Sequence, residues 1–509
     1  MSARHGEPLR GLMSSKRSPL FEGFFGRMFR PLRPATFGAT EDETIANLGK
    51  LAEQMTAGFD EPFDGKDPEE SGIPALYTYL GQFIDHDLTF DPASSLQKLN
   101  DPDALHDFRT PAFDLDDVYG RGPDDQPYLY DGPPGKPATF LLGGPISGGT
   151  TAAFDLPRNT ATPARALIGD PRNDENVIVS QLHGLFLRFH NRLVGENPAL
   201  SFADAQRLLR FHYQYVVVND FLPRIVHSKV ISALKTNGQY DKRRIHFYHF
   251  RNLPFMPVEF SAAAYRLGHS MVRPGYRLND RDETLLPIFP VPSEGLPEGL
   301  TGFRAMNPNW GIDWGRFIDI DTRGFDGPDD VKKKRLQFAY RIDTSAVNPL
   351  GNLPPSVATD PSSLPLRNLL RGWRLGLPNG QSVARAMGIT PLKDSEILIG
   401  KFTDPEPTGE EAPVPIANVS PAFAHNCPLW TYILAETRAN QEMVKLPVTE
   451  AVTLKTPKLG PVGGRIVAEV FLGIMFGDSH SFLSQEPDWH PAAGVNYTLK
   501  DFVKYALGL

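Results

Sequence analysis

The sequence holds a single cysteine, Cys427, among 509 residues, which excludes an intrachain disulfide and any cysteine-cluster metal site. Cys427 reads as a small apolar core residue. Long apolar runs are also missing: no stretch approaches the ~18 consecutive apolar residues that a spanning helix needs. The longest candidate, VAEVFLGIMFG at 467–477, carries Glu469, so no integral membrane association is expected. Positive charge is not in excess. With 52 Lys and Arg against 60 Asp and Glu, the net charge is −8, and nothing draws the chain to nucleic acid or an anionic surface. Internal repeats and low-complexity tracts are absent. The basic N-terminal stretch MSARHGEPLRGLMSSKRSPLFEGFFGRMFRPLRPATF has no uninterrupted apolar run and no small-residue cleavage pattern, so it does not read as a Sec leader. The expected location is the cytoplasm, or outside the cell by a leaderless route.

What is present can bury a large core. Apolar residues make up 40% of the chain, enough for one big domain or two to three ordinary ones. The 45 glycines and 48 prolines are dispersed rather than periodic, which predicts long ordered connections. Apolar residues recur at helical spacing over 73–88, 174–195, 202–219 and 258–272. Pro/Gly/Asp-rich loops fill 91–165, 273–331, 344–366 and 403–422, and none looks like a flexible linker. Strand signals are short, as in RRIHFYHF at 243–250. The fold class predicted is mainly α: a single large helical domain over 41–509, with long ordered loops and little β. Residues 1–40 read as an extension whose Phe21, Phe24, Phe25, Met28 and Phe29 pack on or near the body.

Four segments carry chemistry. In LGQFIDHDLTFDP, beginning at Leu80, helical geometry puts Gln82, Asp85 and His86 on one face, with Asp87 turned roughly 100° away. That face either lines a cofactor or metal pocket or is a solvated polar surface. In GDPRNDENVIVSQLHGLFLRFHNRL, from Gly169, Arg172 and Glu175 stand at i, i+3 where a long apolar helix begins. Asp170 or Asn173 is the candidate cap, and capping leaves Arg172, a cation where the helix dipole disfavours one, unexplained. His183 and His190 further along read as core or interface histidines. In EFSAAAYRLGHSMVRPGYRLN, from Glu259, Arg266 and His269 are also at i, i+3. Gly268 before the histidine is costly inside a helix but tolerated where something large and flat approaches the backbone. In LRNLLRGWRLGLP, from Leu366, Asn368 and Arg371 repeat the spacing. Asparagine can accept the N–H of a metal-bound imidazole, and arginines pair with carboxylates.

Together these residues form an inventory for haem, and all four segments, in this order, resemble the animal haem peroxidases of the peroxidase–cyclooxygenase superfamily. The resemblance runs from about residue 40 to the C-terminus, includes LGPVGGRIVAEVFLG at 459–473, and suggests a short, bacterial-like member. It implies a helical haem-peroxidase domain with His86 as distal histidine, Gln82 as distal glutamine and Arg172 as catalytic arginine. It makes His269 the iron ligand and Asn368 its hydrogen-bond partner, and puts Arg266 and Arg371 near the propionates. The cofactor implied is a haem b derivative, ester-linked through Asp85 and Glu175. A Ca²⁺ loop is implied in RTPAFDLDDVYG at 109–120, with Thr110, Ala112 (through its carbonyl), Asp114 and Asp116 joined by Asp87; an acidic turn that binds nothing is the alternative.

Two departures narrow the expectation. Asn176 stands where relatives with a vinyl sulfonium link carry methionine, which excludes that bond. Arg266 stands where the fatty-acid oxygenases of the superfamily place a radical-forming tyrosine, which makes a haem fatty-acid dioxygenase the runner-up. The leading expectation is a peroxidase that reduces H₂O₂ and, through a ferryl intermediate, oxidises a small donor such as a halide, thiocyanate or an aromatic. His86 would act as general base and Arg172 would stabilise the developing charge. Two rival readings are an HD-type metal phosphohydrolase built on Asp85–Asp87 with His183 and Asp170, and a binding module that kept the fold without the reaction. The sequence sets no oligomeric state.

Overall fold

Thr40 starts the first helix, α1 (Glu41–Gln54): its hydroxyl accepts the Glu43 N–H, and three acidic residues fill the first turn. The computed structural model describes residues 25–58, 62, 64–89, 109–132, 138–251, 253–291, 299–355, 357–358 and 360–509. The helices that matter for function follow as α2 (Leu76–Leu88), α3 (Val177–Glu196), α4 (Phe202–Val216), α5 (Val258–Ser261), α6 (Gly268–Met271), α7 (Leu364–Arg374), α8 (Leu429–Glu436), α9 (Gly463–Gly477) and α10 (Leu499–Leu507). Among the described residues strands occur only in two-stranded pairs, so the fold is mainly α with long irregular connections.

The core gathers on α2 and α3. Almost every side chain of α2 is buried, and Phe83 stacks on Phe186 of α3 at a 4.3 Å centroid distance. Phe189, one turn on, stacks on Phe502 of α10 at 4.5 Å. These stacks align the helices that carry the chemistry. Helix α9 is buried along most of its length.

Three sequence expectations are corrected here. The first helical segment begins at Leu76 rather than 73, because Glu70–Pro74 is a strand paired antiparallel with Phe338–Tyr340. RRIHFYHF forms no strand: the N–H groups of His246, Phe247 and Tyr248 all donate to one oxygen of Glu469 on α9, so no ladder forms. The segment 258–272 is not one helix. It breaks after Ser261, where Ala263 leaves helical geometry, and resumes as a 3₁₀ turn over Ala264–Leu267 before α6. Arg266 Nε donates to the Ser261 carbonyl at 2.8 Å, an acceptor that a continuous helix would use for Tyr265.

Of the N-terminal aromatics, Phe21 and Phe24 lie outside the described residues. Phe25 and Phe29 are buried in the core, Met28 packs against it, and Phe25–Gly26 pairs in parallel with Met256–Pro257. No helix among the described residues is long and apolar enough to cross a membrane.

Candidate active site

Helix α2 brings His86 against a 3₁₀ turn, Pro171–Asp174, that precedes α3. Asp170 begins this turn, and its carboxylate accepts the Arg172 N–H at 2.8 Å. The same carboxylate binds the Arg172 guanidinium at 2.8 Å and also pairs with Arg109. Burial alone would raise its pKa, but the two arginines hold it well below the usual carboxylate range. Arg158 clamps Asp174 with two nitrogens at 2.7 and 2.8 Å, which fixes the far end of the turn. Glycine is required at 169 because a Cβ there would strike the Asp116 and Asp117 carbonyls. So held, Arg172 donates to the His86 carbonyl at 2.9 Å, and arginine and histidine form one unit.

Around His86 the polar groups converge. Its Nδ1 lies 2.7 Å from Asn173 Oδ1, and its Nε2 lies 3.9 Å from Glu175 Oε1. Burial and the Arg172 charge lower its pKa to about 4, so the ring is neutral at pH 7. Gln82 is held at both ends: its Nε2 donates to Glu175, and its Oε1 accepts from Asn176 Nδ2 at 3.1 Å. Asn176 is also the cap of α3, accepting the Ile178 and Val179 N–H groups. Asn173 is therefore not the cap of this helix. Glu175 keeps 38% of its side-chain surface accessible although it is surrounded by protein, and withdrawal from bulk water pushes its pKa to about 7. An accessible carboxyl inside the molecule lines an internal pocket.

His269, on α6, is half-buried beside α2. Burial, followed by the Arg266 charge, lowers its pKa to about 3, while Asp85 acts in the opposite sense on both His269 and His86. One carboxylate thus sits within electrostatic reach of both rings. Asn368 of α7 lies with Nδ2 2.7 Å from His269 Nδ1. The carboxamide makes no second side-chain hydrogen bond among the described residues, so a half-turn puts Oδ1 at the same place and accepts an Nδ1–H. Arg371 follows one turn later, half-buried. A Cβ built at Gly268 would meet no protein atom within 4 Å. The donor set and the open backbone at Gly268 fit a flat macrocycle bound through His269.

The acidic loop lies behind His86. Carboxylate oxygens of Asp87, Asp116 and Asp117 fall within 4.8 Å of one another, all three residues buried. Asp87 Oδ1 and Asp117 Oδ1 have no hydrogen-bond partner among the described residues, and burial with mutual repulsion raises the pKa of both. Such a cluster is costly unless a cation neutralises it. Asp114 is placed beside the cluster, one oxygen accepting from Thr110 Oγ1 at 2.6 Å and the other from the Asp116 N–H at 3.1 Å; burial pushes its pKa to about 7. Ala112 donates its N–H to the Thr110 carbonyl at 2.8 Å. The sequence reading missed Asp117, Asn173 and Arg109. The doubled acid in DLDD signalled the first, whereas nothing local distinguishes Asn173 from a capping residue.

The rival readings find less support in this geometry. Among the described residues, the acidic cluster contains no histidine. Asp170 is committed to two arginines, and His183, buried like His190, faces Asn173.

Residues 97–290 match the family model described as animal haem peroxidase. Peroxidasin of Drosophila melanogaster is 25% identical over 248 residues, covering 47% of this chain and 15% of that protein. Thyroid peroxidase of Homo sapiens is 29% identical over 247 residues, covering 47% of this chain and 24% of that protein. The chain thus spans a quarter or less of the length of these relatives. Among solved structures, peroxidase A from Dictyostelium discoideum superimposes with a TM-score of 0.58 at 16% identity, over 95% of this chain and 93% of its own. A fatty acid alpha-dioxygenase from Arabidopsis thaliana follows with a TM-score of 0.52 at 14% identity, over 95% and 77%. Likeness at that identity establishes the fold alone. The family match is thus to residues 97–290, and the chain over nearly its whole length shares the fold of the Dictyostelium peroxidase.

Proposed function

We propose that this chain is a haem peroxidase that reduces H₂O₂ and oxidises a small anion or aromatic donor. What supports the reading is a neutral, buried His86 joined to Arg172, together with His269 held beside Asn368. When bound, haem supplies the two-electron reduction of the peroxide and the oxidation of the donor. His86 Nε2 takes a proton from the incoming peroxide and returns it to the departing oxygen. Arg172, anchored by Asp170, faces the negative charge that develops. Asn368 orients His269 by accepting its Nδ1–H. Arg266 and Arg371 are the candidates for pairing with the propionates. The fatty-acid dioxygenase alternative is disfavoured by Arg266, since its position three residues before His269 lacks a tyrosine. Steady-state assays with chloride, bromide, iodide, thiocyanate and guaiacol test the proposal: turnover with at least one supports it, and none with haem-replete protein opposes it.

Asp85 and Glu175 are proposed to esterify the haem. After peroxide treatment, acid–acetone extraction is expected to leave haem on the polypeptide. The double variant Asp85→Asn/Glu175→Gln is expected to release it. Full extraction from the treated wild-type chain would refute the links.

Ca²⁺ is proposed as the cation held by Asp87, Asp116 and Asp117, with Thr110, Ala112 and Asp114 forming the supporting loop. At a Ca²⁺ concentration 100 times the Kd, binding to the folded state alone contributes about 2.7 kcal/mol. Adding Ca²⁺ to chelator-treated protein is therefore expected to raise its Tm, and Asp117→Asn to reduce the rise. A Tm indifferent to Ca²⁺ in the wild-type chain would oppose the assignment.

A further inference from the structure

Between the His86 ring and the acidic cluster stands Asn173, fully buried and given no part in the proton transfer above. Its carboxamide has three polar neighbours. Nδ2 lies 2.8 Å from Asp117 Oδ2 and 3.0 Å from His183 Nδ1, and Oδ1 lies 2.7 Å from His86 Nδ1. An amide nitrogen has two hydrogens to donate and its oxygen has none. With a cation neutralising the cluster, the Asp117 carboxylate is ionised and can only accept. Burial holds His183 neutral; because Asp117 keeps Nδ2 on this side, His183 Nδ1 accepts the second hydrogen, and its proton sits on Nε2, which has no partner among the described residues. Both Nδ2 hydrogens are then committed. Turning the amide over would set Oδ1 against the Asp117 carboxylate and the His183 lone pair, two acceptors facing an acceptor. The orientation is locked, and Oδ1 faces His86.

A neutral imidazole has one N–H, and the group facing each nitrogen decides where it sits. An amide oxygen at 2.7 Å from Nδ1 draws the proton there and leaves the lone pair on Nε2, the nitrogen on the Glu175 side. We propose that Asn173 is a positioning residue which fixes His86 as the Nδ1–H tautomer, and that Asp117 and His183 act through Asn173 by holding its amide in one orientation. The functional part rests on the peroxidase reading; the tautomer part does not. It also gives Asp117 two roles, one oxygen on the acidic cluster and the other on the Asn173 amide.

The test is ¹⁵N NMR of the histidine-labelled, haem-loaded protein in its diamagnetic ferrous carbonmonoxy form, with the His86 signals assigned by their loss in His86→Gln. The expected result is a protonated Nδ1 and an unprotonated Nε2 for His86 in the wild-type chain. Asn173→Ala and His183→Leu are expected to shift the proton toward Nε2, whereas His183→Gln, which keeps an acceptor, is expected to preserve the wild-type pattern. In parallel, the rate of reaction with H₂O₂ should fall at least about tenfold in Asn173→Ala, with the Soret maximum and bound metal content unchanged. A wild-type His86 protonated on Nε2 overturns the proposal without any variant, as does an Asn173→Ala protein with unaltered tautomer and rate. A wild-type chain with the expected tautomer but no reaction with peroxide overturns the functional part and the peroxidase reading, while the positioning role stands.

Discussion

Replacing His86 by alanine is expected to lower kcat/KM for H₂O₂ by about 10²–10⁴-fold, the usual contribution of a positioned general base, while the protein still binds haem. The reason lies in the surroundings of the ring. It is buried and neutral, its Nδ1 is taken by Asn173, and its Nε2 lies 3.9 Å from Glu175 Oε1 across the pocket. Alanine removes this imidazole without touching His269, so haem affinity and the Soret band should persist. The KM for the electron donor should change little, because the donor step needs no base at this position. The measurement is stopped-flow reaction of the haem-loaded variant with H₂O₂, alongside a haem titration. Rates within threefold of wild type would remove His86 from the mechanism.

Arg172→Met is expected to cost about 10²–10³-fold in the same rate constant, the scale of a lost charge-stabilising donor in a shielded site. Methionine keeps the length and apolar stem of the side chain but not its charge. The guanidinium is held by Asp170 at 2.8 Å and donates to the His86 carbonyl at 2.9 Å, so its loss also leaves Asp170 with Arg109 as its remaining cation partner. Part of the effect could therefore come from a displaced turn. Arg172→Lys separates the two causes: it restores charge without the planar, multi-donor geometry and is expected to recover part of the rate. If Arg172→Met reacts at the wild-type rate, the charge that develops on peroxide cleavage is met elsewhere.

How much of this was legible in the sequence follows from the range of each interaction. Gln82, Asp85 and His86 share a face because helical spacing puts them there, and α2 is a regular helix. The pairing of His269 with Asn368 spans 99 positions, and no local rule predicts it; only resemblance to a family links the two segments. Asn173 was misread for a physical reason. An asparagine before an apolar helix is ordinarily a cap, yet here the chain makes a 3₁₀ turn first and the cap falls on Asn176. The break at Ala262–Ala263 was equally hidden, since three alanines favour a helix and the long-range packing of α6 against α2 overrides them. RRIHFYHF has strand composition, but its N–H groups are claimed by Glu469, more than 220 positions away. For RRIHFYHF the local signal was sound and a distant partner decided the outcome.

The central claim is that His86 and His269 face one haem from opposite sides and that the pair reacts with peroxide. The most direct measurement is the absorption spectrum of the haem-loaded chain before and after one equivalent of H₂O₂. The account predicts a Soret band that shifts rapidly on mixing and returns when iodide or guaiacol is added. A chain that takes up no haem, or a Soret band indifferent to peroxide, would contradict it.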